Sequence, residues 1–358
     1  MSTHAIRLRS SEELLAVVPY LLGFHPQHSL VVLTLHADRL GLTARVDLPA
    51  EPQSVRGAAV LAQSLLPSLL REKPDTAVLL GYENTAGDSI PVLECLSQAL
   101  ASHGVDLKDR LIIRDGRWRS LDCPDPGCCP PAGSPVPLPI DAPAVAAEFV
   151  GAGVSPHQTR AALAAVLKAG AQAHVVGRVL ATPGAGDVPR SGPAVAALLA
   201  RILGLTTPGC PLSVEDAAAA VGVLRDVQVR DALVAWLTPG SIDRNAFGPA
   251  AQEVLAGLPH PSPGEAFSDV DRDGSGEGNH VAANHHLVQD RLIRLCTMLP
   301  DEHAAPALTV LGCLTWWRGD GALTRVALDR ALRCEPEYRL AQLLEHMVDL
   351  GIRTAPTT

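Results

Sequence analysis

Arg110-Leu111-Ile112-Ile113-Arg114-Asp115-Gly116-Arg117-Trp118-Arg119-Ser120-Leu121 is the stretch on which the fold turns. Asp115-Gly116 is the dipeptide a type I′ turn demands, because both of its central residues take positive φ, and short apolar runs flank it. The segment predicts a β-hairpin. Immediately upstream, Pro91 to His103 has helical spacing and stops at Gly104, a residue suited to the left-handed position that closes a helix. A helix therefore feeds the hairpin.

Towards the N-terminus the same alternation continues. Thr76 to Gly81 reads as a short buried strand. Before it, Pro52 opens a helix through Val55, Ala59, Leu61, Leu65, Leu66 and Leu69 that must end ahead of Pro74. Ser29 to His36 and Leu40 to Leu48 are β-branched runs around Ala37-Asp38-Arg39, a second hairpin. Ser10 with Glu13 forms a capping box for a helix reaching Leu22, with Pro19 expected to kink it. The order is helix, two strands, helix, strand, helix, two strands. This predicts an α/β domain over 1–122, a mixed sheet with helices on at least one face. The pattern does not fix the strand order.

Towards the C-terminus the reading changes. Residues 123–142 are dominated by Pro, Gly and Cys and are read as a junction. An all-α domain is expected over 143–358. In it, Ser155-Pro156-His157-Gln158 reads as a capping box, and Ser213 opens an amphipathic run continuing to Leu237. Thr182 to Pro193 is a Gly/Pro loop. Residues 260–284 hold almost no apolar side chain and read as a mobile loop, with helices resuming near Leu287. Within it, Asp269 to Gly274 imitates half of a calcium loop, but His280 stands where the bidentate Glu is needed, so an acidic linker is expected. Across 307–341, Leu308, Leu311-Gly312, Gly319-Asp320, Leu328, Ala331-Leu332 and Pro336 fall at tetratricopeptide offsets; Thr324 departs from the usual Ala. A single copy favours a hairpin that closes the core over a peptide groove.

Composition narrows the function classes. A formal charge of −9 disfavours non-specific attraction to nucleic acid or anionic membrane. Lys73, Lys108 and Lys168 are the only lysines among 29 basic residues; with abundant Ala, Gly and Pro this reads as GC-rich coding bias, so the arginine excess carries no functional weight. The opening residues Met1 to Arg7 lack a basic-then-apolar leader pattern, and the longest apolar stretches, such as Ala194 to Leu205, are too short to span a bilayer. A cytoplasmic protein with no membrane partner is expected.

Four constellations could carry chemistry. The loop Gly23-Phe24-His25-Pro26-Gln27-His28 brings two imidazoles to the start of a strand, and Arg45 and Asp47 emerge at the end of the next. His25, His28, Arg45 and Asp47 together would suit a general-base or metal-assisted site. Cys123, Cys128 and Cys129 place three thiols on one loop, and thiolates are the ligands a structural zinc needs. No fourth ligand is evident, and adjacent cysteines are not expected to aim at one ion; a disulfide or inert thiols are the competing readings. In the hairpin, Arg110 and Arg114 share a face with Arg117 and Arg119 across the turn, opposite Trp118, a candidate nucleic-acid ribbon. Trp316, Trp317 and Arg318 form a candidate binding patch on the helix pair; an exposed Trp there would favour a partner surface.

Val18-Pro19-Tyr20-Leu21-Leu22-Gly23-Phe24-His25-Pro26 with Ser29-Leu30-Val31-Val32, and Ala44-Arg45-Val46-Asp47-Leu48-Pro49, resemble an actinobacterial family labelled domain of unknown function 4192. The Cys128-Cys129-Pro130-Pro131 block and the ending from Gly319 to Tyr338 are similar to it as well. The resemblance implies one integrated architecture and marks the His25, Arg45, Asp47 and Cys128, Cys129 neighbourhoods as typical of that family, without an activity. The functional expectation is a non-enzymatic protein-interaction or ligand-binding module whose partner is a protein, with no cofactor expected apart from zinc as one reading of the cysteine loop. A hydrolase-like enzyme and an arginine-hairpin nucleic-acid binder are the alternatives.

Overall fold

The computed structural model describes residues 10–37, 39–138, 149, 155–182, 189, 191–206, 209–259 and 278–352, with 278–285 described through their backbone. It divides into two compact units, one of Ile6–Arg160 with Asp349–Ile352, the other of Ala161–Val348.

The first unit is α/β, as the alternating pattern requires. Ser10 Oγ accepts from Glu13 N at 3.2 Å and opens α1, Ser11–Leu22, which contains Pro19. Strands β1 (Ser29–His36) and β2 (Arg39–Asp47) form the first hairpin, α2 is Val55–Leu70, β3 is Thr76–Tyr82 and α3 is Ile90–Ser102. Then come β4 (Asp106–Arg114) and β5 (Arg117–Ser120), with Asp115 and Gly116 at φ of 52° and 69°, the two positive values expected of the turn. A short β6, Ser134–Pro135, was not legible in the sequence.

The sheet order is β2-β1-β3-β4-β5-β6, with only β3 and β4 parallel. One face carries Leu30, Val32, Leu79 and Ile112, which pack with Ala58, Ala62, Leu66 and Leu69 of α2 and Leu93, Leu96 and Leu100 of α3. Gly81 lets α3 come this close, since a Cβ there would stand 2.2 Å from Ser89 Oγ. The opposite face receives α1, whose Ser11 Oγ donates to Asp109 at 2.9 Å. Tyr20 of α1 stacks on Phe149 with ring centroids 5.1 Å apart. Asp349–Ile352 also belongs to this unit: Ser68 Oγ donates to the Asp349 carbonyl at 2.6 Å and Arg71 Nε to the Leu350 carbonyl at 2.8 Å.

Two helical expectations need correction. Ser155 does not cap a helix; the helix α4 is Arg160–Ala165. Instead, His157 N donates to the Gly23 carbonyl and His25 N to the His157 carbonyl, at 2.8 and 3.0 Å, and this pairing holds the segment extended. The run from Ser213 to Leu237 is not one helix but α7 (Val214–Arg225) and α8 (Val227–Leu237), because Asp226 accepts from Gln228 N and Val229 N and restarts the chain.

The remaining helices of the second unit are α5 (Gln172–Ala181), α6 (Gly192–Ile202), α9 (Pro249–Gly257), α10 (Gly278–Met298), α11 (Asp301–Trp317), α12 (Gly321–Cys334) and α13 (Arg339–Asp349). Helix α10 starts at Gly278, well before Leu287, so part of the expected loop is helical; residues 260–277 lie outside the described residues. Every residue from Ala304 to Thr315 is buried, which marks α11 as the central helix. It pairs with α12, and Thr324 Oγ1 meets Thr315 Oγ1 at 2.9 Å in the buried seam. Among the described residues, no helix is long and apolar enough to cross a membrane.

Arg330 of α12 is the polar centre of this unit. Its guanidinium, 5 % exposed, donates to the carbonyls of Leu167, Cys296 and Leu299 and to Asp301, so it terminates α10 and tethers the start of α11. Removing it strands buried carbonyls, so Arg330→Ala is expected to cost about 3 kcal/mol or more. Arg330→Lys should recover little, since an ammonium lacks the planar fork that reaches several acceptors. Urea unfolding followed by the fluorescence of buried Trp236 measures both; a midpoint unchanged by Arg330→Ala would contradict this account.

Candidate functional site

One end of the α/β sheet gathers the carboxyl ends of β3 and β4, the amino end of β1 and the carboxyl end of β2. Ser29 stands opposite Asp47 on one side and Tyr82 on the other, so these three side chains share a face. Arg45, two residues before Asp47, lies on the same face. In open α/β sheets ligands bind outside the carboxyl ends of the strands, where neighbouring connections diverge. Here β3 has β1 as one neighbour and β4 as the other, reached through α3.

The turn from β3 into α3 is built around Glu83. Its side chain is fully enclosed; Oε1 accepts from Ser89 N at 3.0 Å and Ser89 Oγ at 2.7 Å, and Oε2 from Gly87 N at 3.1 Å. Arg114 at the end of β4 adds a 3.4 Å contact to Oε2. A carboxylate at a helix start satisfies backbone N–H groups that have no partner within the helix. The turn presents Asp88, whose Oδ2 accepts from Thr85 N at 2.9 Å and lies 3.9 Å from His28 Nδ1. Glu83, Asp88 and Ser89 carry no expectation from the sequence, and Arg114 is expected there only as part of the arginine ribbon of the hairpin. The Gly87-Asp88-Ser89 run ahead of Ile90-Pro91 was the signal available for them.

The structure brings the expected residues to this end but pairs them differently from the grouping read in the sequence. Asp47, its side chain 74 % exposed, is held by Arg45 at 2.6 Å. His28 faces Asp88 instead. His25 is exposed and bound through its backbone to His157. Arg45 donates from NH2 to the Gln27 carbonyl at 3.2 Å and stands with Cζ 5.7 Å from the centre of the Phe24 ring, a cation–π arrangement. Burial and the nearby Arg160 charge lower the Arg45 pKa and Asp47 opposes them, burial being the largest effect; the guanidinium remains charged. Burial also raises the Tyr82 phenol above its ordinary value, so it stays neutral.

Three polar atoms at this end are buried without a hydrogen-bond partner among the described residues: His28 Nδ1, Ser29 Oγ and Arg45 Nε. Each buried and unsatisfied group costs about 1–3 kcal/mol, so three neighbouring ones are out of keeping with a purely structural sheet end.

The other expected sites are more fully engaged. Arg110 forms a forked pair with Asp122, whose carboxyl is held below its ordinary pKa chiefly by that hydrogen bond. Arg114 meets Glu83, and Arg117 donates to the carbonyls of Ala132 and Gly133. The register places Arg119 opposite Ile112 and Trp118 opposite Ile113, so Trp118 lies on the face away from Arg117 and Arg119, where it is buried. Trp316 and Trp317 are both half-buried; Trp317 Nε1 donates to the Pro239 carbonyl at 3.2 Å, and Arg318 to Gln289 at 2.5 Å. Two open surface depressions, of about 390 and 430 Å³, lie away from the sheet end. In each an arginine is already tied to an aspartate, Arg110 to Asp122 and Arg201 to Asp216. Cys123, Cys128 and Cys129 do converge, their sulfurs all within 4.8 Å of one another. Hydrogen bonds from the neighbouring thiols push Cys128 up to about 11.

His25 supplies a pH test. Partial burial against the loop lowers its pKa from 6.5 although the residue is exposed. A depressed imidazole pKa means that the folded state binds the proton less tightly than the unfolded chain. Its contribution to stability is therefore present above 6.5 and is lost as pH falls through the lower folded value. The His25 ring protons should titrate by NMR with a midpoint below 6.5, and a midpoint above it would contradict the environment described.

A family model described as Domain of unknown function (DUF4192) matches residues 12–256 and 278–355. No curated protein and no solved structure matches the chain.

Proposed function

The chain belongs to the DUF4192 family, which is described by no activity, so the reading has to come from the site itself: we propose that the α/β unit is a binding module for a small oxyanion-bearing ligand, held at the end of the sheet beside Arg45. The observation that carries this is the buried Arg45 Nε, a donor that, like Ser29 Oγ at the same sheet end, has no hydrogen-bond partner among the described residues. An arginine N–H can only donate, so what completes it must present an acceptor, and a carboxylate or phosphoryl oxygen does so with charge assistance. Arg160 raises the local positive potential, and the Arg45 guanidinium lies over the Phe24 ring.

The hydrolase-like reading has less support, because Asp47 is committed to Arg45 and the carboxylate facing His28 is Asp88. The nucleic-acid reading has less support too, since Arg110, Arg114 and Arg117 are held by internal partners. The partner-surface reading asked for an exposed tryptophan, whereas Trp316 and Trp317 are half-buried. For α11 and α12 we favour a tetratricopeptide-like pair that serves its own core, supported by the buried Thr315–Thr324 contact.

Thermal unfolding in a panel of phosphate, sulfate, dicarboxylates and nucleotides tests the proposal. A ligand at a hundred times its Kd stabilises by about 2.7 kcal/mol, which for a unit of this size raises Tm by about 8 °C. The rise is expected in the native chain and lost in Arg45→Ala, with Arg45→Lys intermediate. Absence of a rise with every oxyanion, or an equal rise in Arg45→Ala, would overturn it.

A further inference from the structure

The loop between β5 and β6 is built to bring three thiols together. Ser120 Oγ accepts from Cys123 N at 3.2 Å at its start, and Arg117 clamps its end through the Ala132 and Gly133 carbonyls at 2.8 Å each. Between them the chain folds back at Asp125, whose carbonyl accepts from Cys128 N at 3.2 Å and Cys129 N at 2.7 Å, while its carboxylate accepts from Gly127 N at 2.8 Å. Pro124, Pro126, Pro130 and Pro131 fix φ along the same stretch, which lowers the entropy that ligand binding would otherwise have to overcome. Adjacent cysteines were not expected to aim at one point, but the fold-back turns both sulfurs towards Cys123, with all three within 4.8 Å of one another.

We propose that Cys123, Cys128 and Cys129 bind one zinc ion as a three-thiolate site, with the fourth position open to solvent beside exposed Cys128. A tetrahedral zinc with Zn–S bonds of about 2.3 Å needs sulfurs about 3.8 Å apart, so closing the site takes a movement of about 1 Å or less. The donors are all sulfur, which suits a soft or borderline d¹⁰ ion and not magnesium or calcium. A disulfide fits the loop less well. Adjacent Cα atoms are about 3.8 Å apart, shorter than the usual disulfide range, so Cys128 and Cys129 resist pairing with each other, and either bond to Cys123 leaves one thiol over. Binding exchanges protons for metal: three S–H bonds break, three S–Zn bonds form, and three protons pass to solvent. Affinity should therefore rise steeply with pH, up to a thousandfold per unit while all three thiols are protonated.

The test uses the full chain, reduced and kept anaerobic, titrated with zinc against a chromogenic chelator. Expected are one equivalent of tightly held zinc, a fall of three in the thiols that react with a disulfide reagent, and restoration of all three by excess chelator. Cys128→Ser should weaken binding at least tenfold and the triple Cys123→Ser/Cys128→Ser/Cys129→Ser variant should abolish it, while Cys210→Ser, a second exposed cysteine elsewhere, should leave it unchanged. Unaltered far-UV circular dichroism in the variants separates loss of ligands from loss of fold. Cobalt substitution gives an independent readout, a thiolate-to-metal charge-transfer band that weakens with each serine. Zinc retained equally by the triple variant, no decrease in reactive thiols, or a Cys123 disulfide that persists under reductant would each overturn the proposal.

Discussion

The enclosed carboxylate of Glu83 is the constraint on which the sheet end depends. A buried anion is tolerated only with a full set of donors, and Glu83 takes them from Ser89, Gly87 and Arg114. Those contacts fix where β3 stops, where α3 starts and how the end of β4 approaches them. They also set Asp88 in front of His28. Because Gly81 and Ser89 touch, the helix cannot ride away from the strand without breaking this arrangement. The cluster around Arg45 thus rests on a turn that is rigid for electrostatic reasons rather than through its own side chains.

How much of this was legible depended on the range of the interactions. The hairpin at Asp115-Gly116 could be read because turn chemistry is local, and so could the helix opened by Ser10. The end of the helix at Ser213 could not, because the amphipathic run continues on both sides of Asp226 and only its backbone contacts reveal the break. Ser155 has every local mark of a cap, yet His157 pairs with Gly23 and His25, partners far away in the chain. Local preference lost to distant backbone pairing.

The site shows the same division. His25, His28, Arg45 and Asp47 could be grouped because consecutive strands bring their ends together. Their pairing could not be deduced, since His28 is matched by Asp88 on a turn whose position follows from the strand order. Hidden partners of this kind also organise the helical unit. Arg330 looks like any solvent-facing charge of an amphipathic helix, but it is buried and gathers carbonyls from the turn after α4 and from the end of α10. A core built chiefly of Ala, Val and Leu packs its helices closely, and the Arg330 guanidinium ties the end of α10 and the start of α11 to α12 within it.

Asp349–Ile352 belongs to the α/β unit, with its carbonyls bonded to Ser68 and Arg71 of α2. The order of synthesis then differs from the order of completion. A ribosome delivers the sheet, α2 and α3 first and must go on to make the entire helical unit before the last piece of the first unit emerges. The α/β unit is therefore first in the sequence and last to be finished, and its final closure reports that everything between has been made.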